Sequence, residues 1–186
     1  WVEYSATISN NSFSGNSAAN HGGAIQIYGS NTITGNSFTG NSGQYGGAIR
    51  AFDHGNTITQ NTFTNNGGRL GGALYVEYNH TIGRNLFVDN RVTYGDRRGA
   101  AVYVRGAPSV SLTENTFANN RVVLSQGESS VSGAVHVQEG AHPTLTGNTF
   151  AANVPYDLAD WNAFSTTATL DARSNYWSTV TEAEVK

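Results

Sequence analysis

Residues 31–41 read NTITGNSFTGN and residues 56–66 read NTITQNTFTNN, the same phrase given twice 25 residues apart. A compact globular core has no cause to repeat itself, whereas a fold made by stacking one unit does. The marker inside the phrase is Asn-x-Phe-x-x-Asn. It occurs as Asn11/Phe13/Asn16, Asn36/Phe38/Asn41, Asn61/Phe63/Asn66, Asn85/Phe87/Asn90, Asn115/Phe117/Asn120 and Asn148/Phe150/Asn153. A degenerate seventh copy is Asn175-Tyr176-Trp177, with Trp in place of Phe. The first Asn recurs after 25, 25, 24, 30, 33 and 27 residues. A second block lies between markers: Gly22-Gly23-Ala24-Ile25, Gly46-Gly47-Ala48-Ile49 and Gly71-Gly72-Ala73-Leu74. It decays to Gly99-Ala100-Ala101-Val102 and Ser132-Gly133-Ala134-Val135. Repetition therefore spans the chain and predicts one elongated array without a linker.

Each unit carries strand signals. Thr32-Ile33-Thr34 and Thr57-Ile58-Thr59 set one apolar residue between two polar ones, the period-two pattern of a half-buried strand. Ile25/Ile27, Leu74/Val76, Val102/Val104 and Val135/Val137 alternate likewise. Units of this length, with short strands and Gly/Asn turns, predict an all-β fold: a single right-handed parallel β-helix of about seven coils, roughly 30–35 Å long at strand spacing. Stacking then sets Phe over Phe and lets one inward Asn amide bond to the next, so the repeated residues are expected to be scaffold. The Gly-Gly-Ala block is expected where the backbone turns tightly or packs too closely for a side chain.

The paired motifs carry a resemblance. Phe-x-x-Asn with Gly-Gly-Ala-Ile/Leu/Val resembles the repeats of chlamydial-type polymorphic outer membrane proteins, and the tail Ser174-Asn175-Tyr176-Trp177-Ser178 resembles the last coil of secreted β-helix proteins of the pectate-lyase-like superfamily. That likeness implies a surface-exposed, adhesin-like passenger, at the cell surface or outside the cell. The superfamily also holds lyases, hydrolases and epimerases, so the fold does not choose among them.

Composition narrows the field. The 186 residues carry a net charge of −3 and no basic cluster, so nucleic acid is not an expected partner. There is no Cys, hence no disulfide framework and no Cys-ligated metal, and no metal or cofactor is expected. No apolar run is long enough to span a membrane. Trp1–Ile8 aligns with Tyr75–Ile82, so the chain opens inside a repeat and is expected to be a segment of a larger parent protein. The helix is expected over 1–178, with 179–186 as a cap or tail in which Thr181-Glu182-Ala183-Glu184 reads as a capping box.

If the repeats are scaffold, function belongs to what varies. With Ile25, Ile49, Leu74, Val102 and Val135 inward, the outward column is Trp1, Gln26, Arg50, Tyr75, Tyr103 and His136. A second column holds Glu3, Tyr28, Phe52, Glu77, Arg105 and Gln138. Aromatic rings spaced along a sheet can stack on sugars and Arg can pair with carboxylates, so Trp1, Tyr28, Arg50, Tyr75, Glu77, Tyr103, Arg105 and His136 form a candidate glycan-binding face for a polysaccharide or cell-surface glycoprotein. Plain cross-strand stabilisation is the competing account. The stretches Ser17–His21, Ser42–Tyr45, Gly67–Leu70, Arg91–Arg98, Arg121–Val131 and Val154–Asn162 are expected to be loops, lengthening along the chain and carrying Asp96, Arg97, Arg98, Asp157, Asp160 and Trp161.

Catalysis is the runner-up. A glycosidase needs two flanking carboxylates, and Glu77 has only Asp53 on the preceding coil. No acidic cluster for calcium appears on this strand. Tyr103, His136 and Arg105 suit a lyase or epimerase better. A third reading, ranked below both, is ice binding by the hydroxyl columns Thr7/Ser9, Thr32/Thr34, Thr57/Thr59, Ser111/Thr113 and Thr144/Thr146, interrupted at Gly83.

Overall fold

The computed structural model describes residues 1–106, 109–125, 132–160, 170 and 172–177. One coil runs Ile49–Phe52, Thr57–Thr59, Thr62–Thr64 and Gly67–Leu70, four short strands separated by tight turns. Each strand pairs in parallel with its equivalents one coil before and after. The stack closes into four parallel sheets of seven, six, seven and five strands, a β-solenoid of about six turns. No helix occurs among the described residues. The expected cap at 179–186 lies outside them, as does Trp161.

Registers reproduce the sequence repeat residue for residue. Ile8, Ile33, Ile58, Ile82, Leu112 and Leu145 stack in the second sheet. Phe13, Phe38, Phe63, Phe87, Phe117, Phe150 and Trp177 stack in the third, with ring centroids 4.5–4.9 Å apart and planes within 4–12° of parallel. That spacing is the strand spacing itself, so the parallel ladder and the aromatic column fix each other. The rings from Phe38 to Phe150 are wholly buried, each stabilising the fold by roughly 1.5–3 kcal/mol of apolar burial.

Both Asn of the marker sit in turns and form ladders. Asn66 shows the pattern. Its Oδ1 accepts from the backbone N–H and the side-chain amide of Asn41, at 2.9 and 3.0 Å. Its Nδ2 donates to Phe38 O and to Asn90 Oδ1, at 2.9 and 3.0 Å. The buried amide is thus satisfied on both ends, as a low-dielectric site requires. A left-handed residue precedes each ladder Asn, for example Gln60, Arg84, Glu114 and Asn119 at φ of 54–56°. Such backbone costs roughly 1–2 kcal/mol for a non-glycine residue, and the ladder bond that follows offsets it.

The fourth sheet corrects the expected loops. Ser42–Tyr45 and Gly67–Leu70 are strands throughout, and Ser17–Ala18, Arg91–Val92 and Arg121–Val122 begin as strands. Their sequences lack apolar alternation, but the ladder imposes pairing: the N–H of Ser42, Gly67 and Arg91 bonds to the carbonyl of Asn16, Asn41 and Asn66. Tyr156–Asp160 is likewise not a loop but the seventh strand of the first sheet. The sheet also explains the Gly-Gly block. A Cβ on Gly72 would stand 1.9 Å from Ala100 O and within 2.9 Å of the Arg91 backbone. Where Val92 and Val122 replace Gly43 and Gly68 facing this seam, the second glycine gives way to Ala100, whose methyl packs with both valines.

Candidate functional site

The first sheet presents the candidate face. Tyr75 pairs in register with Arg50 and Tyr103, Tyr103 with His136, and Glu77 with Arg105, so the two expected columns exist and their side chains project away from the core cluster. In the first column the expected exposure holds for Trp1 but not for Tyr75, Tyr103 and His136. Tyr75 is 1% exposed, Tyr103 2% and His136 0%. The cause is a set of side chains just before the glycine turns, Tyr45, His21 and Arg98, which fold back toward the column. Tyr45 meets Tyr75 edge-on at 5.2 Å, and the Arg50 guanidinium lies 5.0 Å from the Tyr45 ring and 5.7 Å from that of Tyr75. His21 closes on Arg50, and Arg98 reaches Gln138. Tyr75, Tyr103 and His136 stack on one another at 5.3 and 5.6 Å beneath this cover, so no sugar ring reaches their faces in this conformation.

The polar atoms of the column turn to the second. Tyr75 Oη donates to Glu77 Oε1 at 2.6 Å, and Glu77 also faces Arg105 at 3.5 Å and Arg50 at 3.9 Å. Arg105 Nε bonds to Glu139 at 2.6 Å, which holds its proton more firmly than usual. Tyr103 Oη donates to Gln138 Oε1 at 3.0 Å. Burial first, then the Glu77 contact, pushes the Tyr75 phenol pKa well up, and burial raises that of Tyr103. Burial with the nearby Arg98 charge lowers His136 to about 4. Two protonated phenols and a covered, neutral imidazole make poor acid–base catalysts at neutral pH. Among the described residues no group of three or more His, Asp or Glu is placed to hold a metal ion. No described helix is long and apolar enough to cross a membrane.

What lies open is a strip along the edge of the same sheet. Trp1, 77% exposed, meets Tyr28 at 5.8 Å. Tyr28 meets Phe52 at 5.7 Å, Phe52 meets Tyr78 at 5.4 Å, and His54 leans on Tyr78 at 4.8 Å. Tyr4, 65% exposed, lies across the neighbouring coil and donates to Asp53 Oδ2 at 3.1 Å. It can do so because Gly29 is beneath it: a Cβ there would stand 2.1 Å from the ring. The Asp53 carboxyl is held below its usual range by the His54 N–H and then by Tyr4.

Tyr4 and Tyr78 were missed by strand alternation because they sit in the turn after the strand. A signal existed: at the turn position that Gly29 and Gly106 occupy, Asp53, Tyr78 and Glu139 are also left-handed, at φ 66°, 69° and 57°, and Tyr78 is the bulky aromatic one. A bulky residue in the left-handed region is a backbone outlier, and such outliers persist where function or surrounding structure demands them.

The hydroxyl columns also align. Thr7, Thr32, Thr57, Thr81, Ser111 and Thr144 run in unbroken register, and Gly83 interrupts only the second column. Part of that second column is spent internally, Thr59 Oγ1 donating to Thr34 Oγ1 at 3.4 Å.

The chain matches the family model described as right handed beta helix region over residues 2–150, and it belongs to that family. No curated protein and no solved structure gives a significant match.

Proposed function

We propose that this chain is a rigid β-helical segment displayed outside the cell or on its surface, where it acts as an adhesin-like module and recognises a glycan through the strip Trp1–Tyr28–Phe52–Tyr78. The observation that carries this reading is a contiguous run of rings, tilted between Trp1 and Tyr28 and edge-to-face from Tyr28 through Phe52 to Tyr78, beside the charged groups Glu77, Arg105 and Asp53. Accessible rings offer sugars an apolar face, and the flanking charges offer hydroxyls and carboxylates their partners. The likeness of the Phe-x-x-Asn/Gly-Gly-Ala repeat to polymorphic outer-membrane-protein repeats supports the adhesin part.

A glycan array probed with the labelled chain tests this. Binding is expected and should fall about tenfold or more in Phe52→Ala/Tyr78→Ala, since two rings lose roughly 0.5–1.5 kcal/mol each beyond their area. Array binding unchanged in the double variant would remove the strip as the site. Release of new reducing ends from a bound glycan would instead establish the lyase or hydrolase reading.

A further inference from the structure

Four arginines of this chain stand beside carboxylates. Arg50 and Arg105 share Glu77, Arg105 also takes Glu139, Arg69 takes Asp96 and Arg84 takes Glu114. Arg91 and Arg121 differ from these four. Both are exposed, neither forms an ion pair among the described residues, and they stand in register on adjacent strands of the fourth sheet. Like charges side by side on a ladder destabilise it, and neighbouring strands are only about 4.8 Å apart. Arg91 is held upright by donating from Nη1 to Asn65 Oδ1 at 2.9 Å.

Two shallow cavities open on this face, of about 290 and 360 Å³, and Arg91 lines both. Ser42 and Tyr94 border the first; Arg121, Asp89, Val123 and Val154 border the second. The result is a trough along the solenoid axis, with two unneutralised guanidiniums at its middle and accessible aromatic and aliphatic groups beyond them. It lies on a different sheet from the aromatic strip and does not depend on it.

We propose that Arg91 and Arg121 together clasp a sulfate ester of a sulfated glycan lying along the fourth sheet. One guanidinium satisfies a carboxylate by itself, because two parallel N–H···O bonds use both oxygens. A sulfate ester has three terminal oxygens and leaves acceptors for a second guanidinium in the adjacent register. A phosphate ester has the same shape but carries nearly two charges, which the Asp89 carboxylate in the same trough opposes. Asp89 suits an acceptor role toward a sugar hydroxyl.

The chain as a whole is anionic, at −3, so retention of a polyanion reports a local site and not bulk charge. The probe is dextran sulfate, compared with dextran, polygalacturonate and polyphosphate by fluorescence anisotropy at low and physiological ionic strength. Dextran sulfate should bind, more weakly as salt rises. Affinity should drop about tenfold or more in Arg91→Gln/Arg121→Gln, and part-way in Arg91→Lys/Arg121→Lys, which keeps the charge and loses the fork. Arg84→Gln, at an exposed arginine paired elsewhere, should bind like the parent. Absence of binding, or an equal loss in Arg84→Gln, overturns the site. Equal affinity for polygalacturonate or polyphosphate overturns the sulfate assignment.

Discussion

Replacing Asn66 by leucine should lower the stability of the fold by roughly 3–6 kcal/mol, although no charge is lost and apolar volume is gained. The substitution removes the acceptor of two Asn41 donors, the donor to Phe38 O and one of the donors to Asn90 Oδ1. All lie in a dry turn, and each buried group left unpaired costs about 1–3 kcal/mol. Against the usual total of about 5–15 kcal/mol, that leaves little. The same change at Asn16 is the internal control. Asn16 is exposed, and its amide gives away only the bond to Asn41 Oδ1, so Asn16→Leu should shift stability by about 1 kcal/mol or less. Urea unfolding followed by circular dichroism measures both. Equal losses at the two positions would mean that the ladder does not hold the coils together.

The second large effect is acid sensitivity. His80 ends a third ladder, after Asn31 and Asn56. Its Nδ1 accepts from the backbone N–H and the side-chain amide of Asn56, both at 3.3 Å, and Nε2–H donates to Glu77 O at 2.6 Å. A proton on Nδ1 would point at two donors, and burial already lowers its pKa to about 4, as it does for His136. Both values lie below that of the unfolded chain, about 6.5, so the unfolded state takes up protons first as pH falls. The stability is complete above about pH 6.5 and drains away between there and about pH 4. Each histidine accounts for roughly 3 kcal/mol across that window. His80→Asn restores the residue used at Asn31 and Asn56 and does not titrate. Its unfolding free energy should therefore fall by about 2–3 kcal/mol less than the parent's between pH 7.5 and pH 4.5. Parallel pH profiles for the two proteins would show that His80 is not held neutral.

The scaffold was legible because its period is written in residue types. Phe over Phe and Asn over Asn need no tertiary information beyond the strand spacing, and even Trp177 falls in place at the end of the Phe column. The fourth sheet was not legible. Ser42-Gly43-Gln44-Tyr45 carries no strand pattern of its own and is extended because the ladder Asn on either side hands it hydrogen-bond partners. Alternation correctly set Tyr75, Tyr103 and His136 away from the core. It could not reveal their burial, which comes from Tyr45 and Arg98, side chains that precede the glycine turn and close over a column several residues downstream. The open strip was half legible: Trp1, Tyr28 and Phe52 followed from the strand, whereas Tyr4 and Tyr78 belong to the turn and required the backbone to be seen.

The aromatic residues divide into a covered set, Tyr75 and Tyr103 among them, and an accessible set that includes Tyr78 and Tyr94. Nitration of the native chain with tetranitromethane, read by peptide mass spectrometry, measures this division directly. Tyr78 and Tyr94 should be modified readily, while Tyr75 and Tyr103 stay unmodified until the chain is unfolded, being both buried and slow to form the reactive phenolate. Nitration of Tyr75 and Tyr103 at the rate of Tyr78 would contradict the account and return the recognition face to the column that the alternation first suggested.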